Sequence, residues 1–366
     1  MNLPNDTNTP AAAPSPAAQA GSQGATRALA SLLATARRTP GLAASSARLD
    51  ELAVLLDGDL RALERLLAEA VPADGRPITS AARHLLLAPG KRLRPMLTLL
   101  AGSLAGLARA RLLDAALAAE LVHGATLLHD DVIDDGDLRR GLPAARVVWG
   151  NSVSVLAGDF ALIRALERIA GYGCAALIGE ALTMLGRMVE AEALQLATRG
   201  QVEGARERYW AVARGKTASL FEWAARAGAV LAGDLDLAER LGLFAAGCGV
   251  AFQIMDDVHD LGCGGDKTLF ADLREGKVTL PVALALERDP GLGALLAAGA
   301  TDDGGDALGA AAAAGSLAAR VRACGAADEA RRIAATHVDE ATARLDPLAG
   351  RAEGGALAAL ARSIVQ

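Results

Sequence analysis

The spacing of apolar residues constrains this chain more than any other feature. From about residue 46 onward, leucines recur at intervals of three and four, as between Leu49 and Leu67. That period places them on one face of an α-helix, and we find no convincing run of strand-like alternation. The sequence therefore predicts an all-α domain over residues 46–366. The Ala-, Pro- and Ser-rich tail, residues 1–45, is expected to be disordered.

Two predicted helices are apolar nearly all round, residues 95–107 and residues 241–255. Such helices are buried, so we expect a large bundle with a buried central layer. Aromatic residues make up only 3% of the chain, so Leu, Ala and Val must fill much of the core. The longest uncharged apolar run, residues 241–255, is shorter than the roughly 20 residues that a membrane-spanning helix needs. We therefore expect no membrane span.

The charge balance argues against a nucleic-acid partner. Lys and Arg number 37 against 43 Asp and Glu, for a net charge of -6, whereas nucleic-acid binders usually carry a basic domain. The cysteines form no CxxC pair and no cluster with histidine. Residues 1–27 also lack the pattern of a secretory signal. Together these features predict reduced thiols and a cytoplasmic protein.

Lysine is scarce in this sequence. The chain has 33 arginines but only four lysines, Lys91, Lys216, Lys267 and Lys277. The lysine ammonium is a compact point charge, whereas the arginine guanidinium is planar and forked. Lysine is therefore expected at positions where a planar guanidinium would not be suitable. Each lysine lies in a short polar string next to or near a glycine, rather than on an amphipathic helix face. The alternative is chance, since four lysines must lie somewhere.

Two acidic motifs of the form Asp-Asp-x-x-Asp end two of the apolar helices. The first acidic motif comprises Asp130, Asp131 and Asp134, and the second comprises Asp256, Asp257 and Asp260. On a helix, the first and last Asp of each motif lie one turn apart on the same face. These like charges repel each other, so a counter-ion is expected. Mg²⁺ fits, because one or two carboxylates plus phosphates usually hold it. A solvated acidic helix end is the alternative, and it explains two identical motifs poorly.

Cationic residues flank both acidic motifs in sequence. They are Lys91, Arg94, Arg139, Arg140, Lys216 and Lys267. Carboxylates with Mg²⁺ imply a phosphorylated ligand, and these six cations would hold its far side. His123 lies two helical turns before Asp130 and so on the same face. A lone histidine at such a position is more often a core residue.

Five motifs in this order resemble those of the trans (E-type) polyprenyl diphosphate synthases. They are residues 90–95 (GKRLRP), 127–141 (LLHDDVIDDGDLRRG), 215–221 (GKTASLF), 253–260 (QIMDDVHD) and 272–281 (DLREGKVTLP). The resemblance covers most of residues 50–285. It implies antiparallel helices around a deep apolar cavity, usually in a homodimer, with the two acidic motifs facing each other across the cavity mouth. The loop between Asp260 and Lys267 is shorter than the family leads us to expect.

The resemblance also implies residue roles and a reaction. All six aspartates of the two motifs would hold Mg²⁺, and catalysis would depend on Asp130, Asp134, Lys216, Asp256 and Asp260. The allylic diphosphate would contact Arg139, Lys216, Thr217, Gln253 and Lys267. Isopentenyl diphosphate would occupy a metal-free pocket of Lys91, Arg94, His123 and Arg140. The allylic diphosphate would ionise, the double bond of isopentenyl diphosphate would attack the carbocation, and a proton would then be lost.

Small residues beneath the first acidic motif bear on product length. The resemblance leads us to expect a bulky aromatic near these positions in synthases that stop at short products. Here the positions are Val122, Ala125 and Thr126. We therefore expect an all-trans product longer than geranylgeranyl diphosphate, released to membrane enzymes.

Other functions fit the sequence less well. A geranylgeranyl or farnesyl diphosphate synthase stays open as an alternative. A non-catalytic subunit of a heteromeric prenyl synthase would be expected to lack at least one acidic motif. A class I terpene cyclase would not need the second diphosphate pocket. A metal phosphohydrolase would need a histidine ligand set that the five histidines of the chain do not form.

Overall fold

The computed structural model describes residues 46–262, 271–289, 291–293, 296 and 307–365, and most of these residues are helical. The predicted all-α fold is thereby confirmed. The predicted tail, residues 1–45, and the predicted site residue Lys267 lie outside the described residues.

The helices form one bundle. Those up to residue 200 are α1 Ser46–Ala70, α2 Pro77–Leu86, α3 Leu93–Leu104, α4 Arg109–Ile133, α5 Ala145–Trp149, α6 Asn151–Gly171 and α7 Ala175–Ala197. Those that follow are α8 Ala205–Val212, α9 Ser219–Ala232, α10 Leu235–Asp260, α11 Ala271–Arg274, α12 Leu280–Arg288, α13 Ala307–Ala323, α14 Ala326–Ala343 and α15 Ala352–Arg362. A π-helix, Ala213–Ala218, joins α8 to α9, and 3-10 turns at Asp346–Leu348 and Ser363–Val365 flank α15.

Helices α4 and α10 lie at the centre. Helix α4 packs against α3 and α6, α10 packs against α9 and α14, and α3 packs against α9. Residues 115–122 of α4 are all buried, and Trp223 and Phe244 are among the largest fully buried side chains. Helix α10 is, among the described helices, the one long and apolar enough to cross a membrane, but 67% of its most apolar stretch is buried in the bundle. It packs as a core helix.

Close backbone contacts hold the π-helix against the core. A β-carbon on Gly228 of α9 would lie 2.4 Å from the Cα of Gly102 in α3. A β-carbon on Gly249 of α10 would lie 2.6 Å from the Cα of Ala218 in the π-helix. Side chains larger than hydrogen cannot fit at either crossing without a backbone shift. Residues 213–218 are therefore fixed beside α10.

The start of α10 is set by a tight turn. Gly233 ends α9 in the left-handed region, with φ of 77°. The side chain of Asp234 then accepts a hydrogen bond from the backbone N–H of Leu237 at 2.9 Å, a cap that typically contributes about 1 kcal/mol. From this cap α10 runs for 26 residues, so it delivers the second acidic motif to the opposite end.

A short β-hairpin follows the first acidic motif, and the sequence analysis did not predict it. Strand β1, Leu138–Arg139, pairs with β2, Leu142–Pro143, in antiparallel register. Two-residue strands are too short to show alternation. The turn residues Arg140 and Gly141 both have positive φ, 52° and 76°, as a type I′ hairpin turn requires. The hairpin places two arginines directly behind the first acidic motif.

Candidate active site

The two acidic motifs occupy the carboxyl ends of the two central helices. Asp130 and Asp131 lie in the last turn of α4, whereas Asp134 is the residue that caps it. The backbone N–H of Asp134 still bonds the carbonyl of Asp130, at 2.8 Å, so the two carboxylates stay one turn apart as predicted. Asp256, Asp257 and Asp260 all belong to α10. A helix carboxyl end carries negative dipole charge, which adds to the repulsion. Both motifs therefore need cations.

Two of the four lysines supply positive charge to the first acidic motif. Lys216 Nζ lies 3.5 Å from Asp130 Oδ2 and also contacts Glu192 of α7. Lys277 Nζ lies 2.7 Å from Asp134 Oδ2. Burial alone would lower the pKa of Lys277, but neighbouring carboxylates, Asp272 and Asp134 foremost, outweigh it and hold that pKa above its usual range. Both lysines stood out in the sequence by their scarcity, but only Lys216 was predicted as a site residue.

Asp131 is held by Arg139 from the hairpin. Arg139 donates from Nε to Asp131 Oδ1 at 2.7 Å, and its Nη2 lies 2.6 Å from the same oxygen. The Asp131 side chain is fully buried, and its Oδ2 has no hydrogen-bond partner among the described residues. Arg139, predicted to contact the allylic diphosphate, therefore orients an acidic residue in this structure.

The second acidic motif is tied to the π-helix through an amide. Gln253 donates to Asp257 Oδ1 at 2.8 Å and accepts from the Thr217 hydroxyl at 2.5 Å. Burial, followed by the charge of Asp272, raises the pKa of Asp257 well above its usual range. Consecutive residues of the π-helix therefore reach the two motifs: Lys216 contacts Asp130 of the first directly, and Thr217 reaches Asp257 of the second through Gln253. Three predicted allylic-site residues, Lys216, Thr217 and Gln253, are thus brought together.

A second bridge joins the motifs on the far side. The backbone N–H of Asp272 donates to Asp260 Oδ2 at 3.2 Å, and that of Lys277 donates to the Asp272 carbonyl at 2.8 Å. Lys277 then reaches Asp134 as described. A cavity of about 110 Å³ lies between the bridges. Its lining includes Arg199, Tyr209, Lys216, Gln253, Asp257 and Lys277.

A cationic pocket of Arg94, His123 and Arg140 lies beside Glu120 of α4. Arg140 Nη2 lies 3.8 Å from a carboxylate oxygen of Glu120, and Arg94 lies over the Phe221 ring with Cζ 4.7 Å from its centre. Burial lowers the pKa of Arg94 to about 10, so it stays charged at neutral pH. Burial, and then the charges of Arg94 and Arg140, lower the pKa of His123 well below its usual value. The imidazole is therefore neutral at pH 7.

Three of the four residues predicted for isopentenyl diphosphate, Arg94, His123 and Arg140, are thus close enough to interact. The fourth, Lys91, is exposed in the loop before α3.

Residues 76–304 match the polyprenyl synthetase family, which covers more than half of the chain. The chain belongs to the polyprenyl synthetase family. The predicted resemblance is confirmed, and the protein is a prenyltransferase.

Relatives and solved structures agree with this assignment. The chain is 37% identical over 239 residues to the all-trans-nonaprenyl-diphosphate synthase (geranyl-diphosphate specific) of Rhodobacter capsulatus, which covers 64% of this chain and 73% of that protein. It is 36% identical over 262 residues to heptaprenyl diphosphate synthase component 2 of Geobacillus stearothermophilus, covering 68% and 79%. A solved polyprenyl synthase from Caulobacter crescentus CB15, complexed with calcium and isoprenyl diphosphate, has a TM-score of 0.80 and 35% identity, covering 86% and 97%.

The carboxylates of this polyprenyl synthetase fit a divalent metal ion whose remaining ligands would be phosphate oxygens and water. Within the described residues, no group of three or more His, Cys, Asp or Glu side chains could hold a metal ion by itself. Mg²⁺ needs only one or two carboxylates when phosphate oxygens and water complete its shell. The paired carboxylates of the two motifs, all hard oxygen donors, match that requirement.

Several site residues escaped the sequence analysis. Arg92 is buried, has a positive φ of 48°, and bonds both Glu120 and Glu64. Arg92 lies within the motif of residues 90–95, and this position could have marked it as a site residue. No sequence motif marked Glu192 or Arg199. Glu192 contacts Lys216, and Arg199 contacts Asp134, only because the fold brings them together.

The predicted product-length residues lie within α4. Val122 and Ala125 are buried, and Thr126 is half-buried, with its hydroxyl donating to the His123 carbonyl at 2.9 Å.

Proposed function

We propose that this prenyltransferase condenses isopentenyl diphosphate with an allylic diphosphate, with Mg²⁺ as cofactor, to make an all-trans polyprenyl diphosphate longer than C20. One observation carries the proposal: the two acidic motifs, the first of which is paired with Lys216 and Lys277, lie near a second cluster of cations formed by Arg94 and Arg140. A two-substrate reaction with one metal-bound and one metal-free diphosphate needs both.

Mg²⁺ would be held by Asp130 and Asp134 on one side and by Asp256 and Asp260 on the other. When bound, it would stabilise the negative charge of the departing diphosphate. The solved relative from Caulobacter crescentus, named as a complex with calcium and isoprenyl diphosphate, supports the use of a divalent ion together with a diphosphate.

The side chains of this chain supply the remaining work. Lys216 and Thr217 orient the allylic diphosphate over the acidic motifs, and Gln253 fixes Thr217. Arg94 and Arg140 hold isopentenyl diphosphate beside Glu120 and His123 of α4. The buried surroundings exclude water from the reactive carbocation, which would otherwise be hydrolysed.

Product length follows from the small side chains below the first acidic motif. Thr126 lies four residues, or about 6 Å, below Asp130 along α4, and Ala125 and Val122 continue downward. Small residues here leave room for a growing chain. The names of the relatives, nonaprenyl and heptaprenyl synthases, support a long product.

The test combines labelled isopentenyl diphosphate with geranyl, farnesyl or geranylgeranyl diphosphate and Mg²⁺, with products read by chain length. We expect products beyond C20. Products that stop at C15 or C20 would support the short-chain alternative, and no incorporation with any primer would support a non-catalytic subunit.

Phenylalanine variants test the path of the chain. Ala125→Phe and Thr126→Phe should shorten the product, at a stability cost of about 1–3 kcal/mol from overpacking. Ala125→Leu, as a graded control, should shorten it less. Unchanged chain length in all three variants would show that the product does not pass these residues.

We propose that two copies pair through α7. This helix exposes a stripe spaced alternately by three and four residues: Gly179, Leu182, Gly186, Val189, Ala193 and Leu196. Such a heptad pattern packs against another helix, and exposed apolar stripes mark interfaces. Leu182→Asp and Val189→Asp should shift the mass measured by light scattering from dimer to monomer, whereas Leu235→Asp, on an equally exposed leucine of α10, should not. A monomeric wild type would contradict the pairing and favour a separate partner chain, as the "component 2" relative suggests.

We also propose a cytoplasmic location, which the unpaired thiols of Cys174, Cys248 and Cys324 support. Fractionation of the producing cell tests this location: the protein should be found in the cytoplasmic fraction and its product in the membrane fraction.

A further inference from the structure

Both oxygens of Asp134 are engaged by cations. Arg199 Nη2 lies 2.5 Å from Oδ1, and Lys277 Nζ lies 2.7 Å from Oδ2. The carboxylate is 10% exposed, so these contacts are poorly screened by water. Any metal that binds Asp134 must compete with at least one of the two cations.

Arg199 is the cation better placed to leave. It lies just beyond the end of α7, with its side chain 28% exposed, against 9% for Lys277. Its Nε is buried and has no hydrogen-bond partner among the described residues. Lys277 is also held by Glu275, at 2.5 Å. Arg199 therefore has spare donor capacity and a less confined side chain.

Arg199 also faces the cavity in which the allylic diphosphate would lie. It lines that cavity together with Lys216, Gln253 and Lys277. A guanidinium presents a planar fork that matches two phosphate oxygens, and charge-assisted bonds of this kind are among the strong ones. None of the five sequence motifs includes Arg199.

We propose that Arg199 is an exchangeable counter-ion of Asp134: a divalent metal displaces it, and it then binds the allylic diphosphate. This proposal rests on the proposed function for the assignment of Asp134 as a metal ligand. The charges explain the exchange, since a metal added beside two cations at one carboxylate would be repelled unless one cation moved to the anionic substrate. Metal and diphosphate binding are consequently coupled, each favouring the other.

The experiment measures Mg²⁺ binding to the full chain by calorimetry, first without substrate and then with inorganic pyrophosphate. Loss of a charge-assisted contact changes affinity by roughly tenfold or more. Arg199→Ala should therefore bind Mg²⁺ alone about tenfold more tightly and bind pyrophosphate with Mg²⁺ about tenfold more weakly. Arg199→Lys keeps the charge without the fork, so its Mg²⁺ affinity should stay near wild type while pyrophosphate binding is intermediate.

Arg206→Ala is the matched control. Arg206 also pairs with a carboxylate, that of Glu287, but neither residue is among those that line the cavity. It should leave both affinities unchanged. The proposal is overturned if Arg199→Ala binds Mg²⁺ no more tightly than wild type, or if Arg206→Ala has the same effect.

Steady-state kinetics add a second readout. Arg199→Ala should raise the KM for the allylic substrate with the KM for isopentenyl diphosphate unchanged, and equal rises in both would contradict the assignment to the allylic side. Failure of the proposed function is distinguishable, because a wild type that incorporates no isopentenyl diphosphate still gives interpretable Mg²⁺ titrations.

Discussion

The two acidic motifs have the same sequence pattern but different surroundings. In the first acidic motif, Asp130 and Asp134 contact lysine and arginine side chains directly. In the second acidic motif, the buried Asp257 accepts a hydrogen bond from the neutral side-chain amide of Gln253, and Asp260 accepts one from the backbone N–H of Asp272. The comparison teaches that one sequence pattern can be set in two different ways: the contacts described for Asp130 and Asp134 are to cationic side chains, whereas those described for Asp257 and Asp260 are to an amide and a backbone N–H.

Removing one metal-binding carboxylate from either motif should have the largest effect. Asp130→Ala and Asp256→Ala should each lower turnover by orders of magnitude while the fold survives, because the acidic pairs are kept for metal rather than for packing. Turnover and thermal melting are measured together. Asp135→Ala, at an exposed position beside the first motif, is the control and should be near normal. Near-normal turnover in either Asp130→Ala or Asp256→Ala would contradict the assignment of the metal site.

Removing the carboxylate of Glu120 from the cationic pocket should mainly lower the stability of the fold, whereas the motif variants mainly lower turnover. Glu120→Ala leaves the buried Arg92 without a main partner and removes the counter-charge of Arg94 and Arg140. Breaking a buried ion pair typically costs about 3–5 kcal/mol of unfolding free energy, which urea unfolding can measure. Glu64→Gln, whose carboxylate bonds the same Arg92 but is more exposed, should cost less. Equal costs would show that Glu120 does not organise the pocket.

Two lysine variants should separate the substrates. Lys216→Ala should raise the KM for the allylic diphosphate by about 10–100-fold, as expected for losing a charge-assisted contact. Lys91→Ala should act mainly on the KM for isopentenyl diphosphate. Both constants are measured in each variant. If each variant alters both constants equally, the two pockets are wrongly divided.

Asp59, away from both motifs, shows that burial can outweigh a paired cation, since Arg109 Nε lies 2.6 Å from its Oδ1. Burial raises its pKa to about 6, although Arg109 opposes the shift. A raised pKa in the folded state means that stability is present at low pH and is lost as pH rises from about 4 through about 6. Asp59→Asn avoids this loss, so its stability relative to wild type should rise by about 1–2 kcal/mol between pH 4.5 and 7. Chemical denaturation of both proteins at the two pH values measures this rise, and an unchanged difference in stability would contradict a raised pKa at Asp59.

The sequence predicted the parts of the site whose signals are local. All-round apolarity identified α3 and α10, and scarcity of lysine drew attention to Lys216 and Lys277, although the sequence assigned a role to Lys216 alone of the two. Contacts made through the fold were not predictable in this way. Lys277 and Asp134 are 143 residues apart, and Arg199 is one arginine among 33. Glu192 lies on a helix whose pattern reports only its buried face.

The π-helix at Ala213–Ala218 has a consequence for how relatives of this protein can be compared. A wide turn of this kind holds one residue more than an α-helical turn, so the chain gains a residue between α8 and α9 without the rotation of about 100° that an extra residue causes in an α-helix. Tyr209 of α8 therefore stays in the neighbourhood of Asp257, where its hydroxyl is buried. A homologue with one residue fewer in this segment and ordinary winding would keep both helices in the same orientation, so alignments should place a one-residue gap at the π-helix rather than shift the flanking helices.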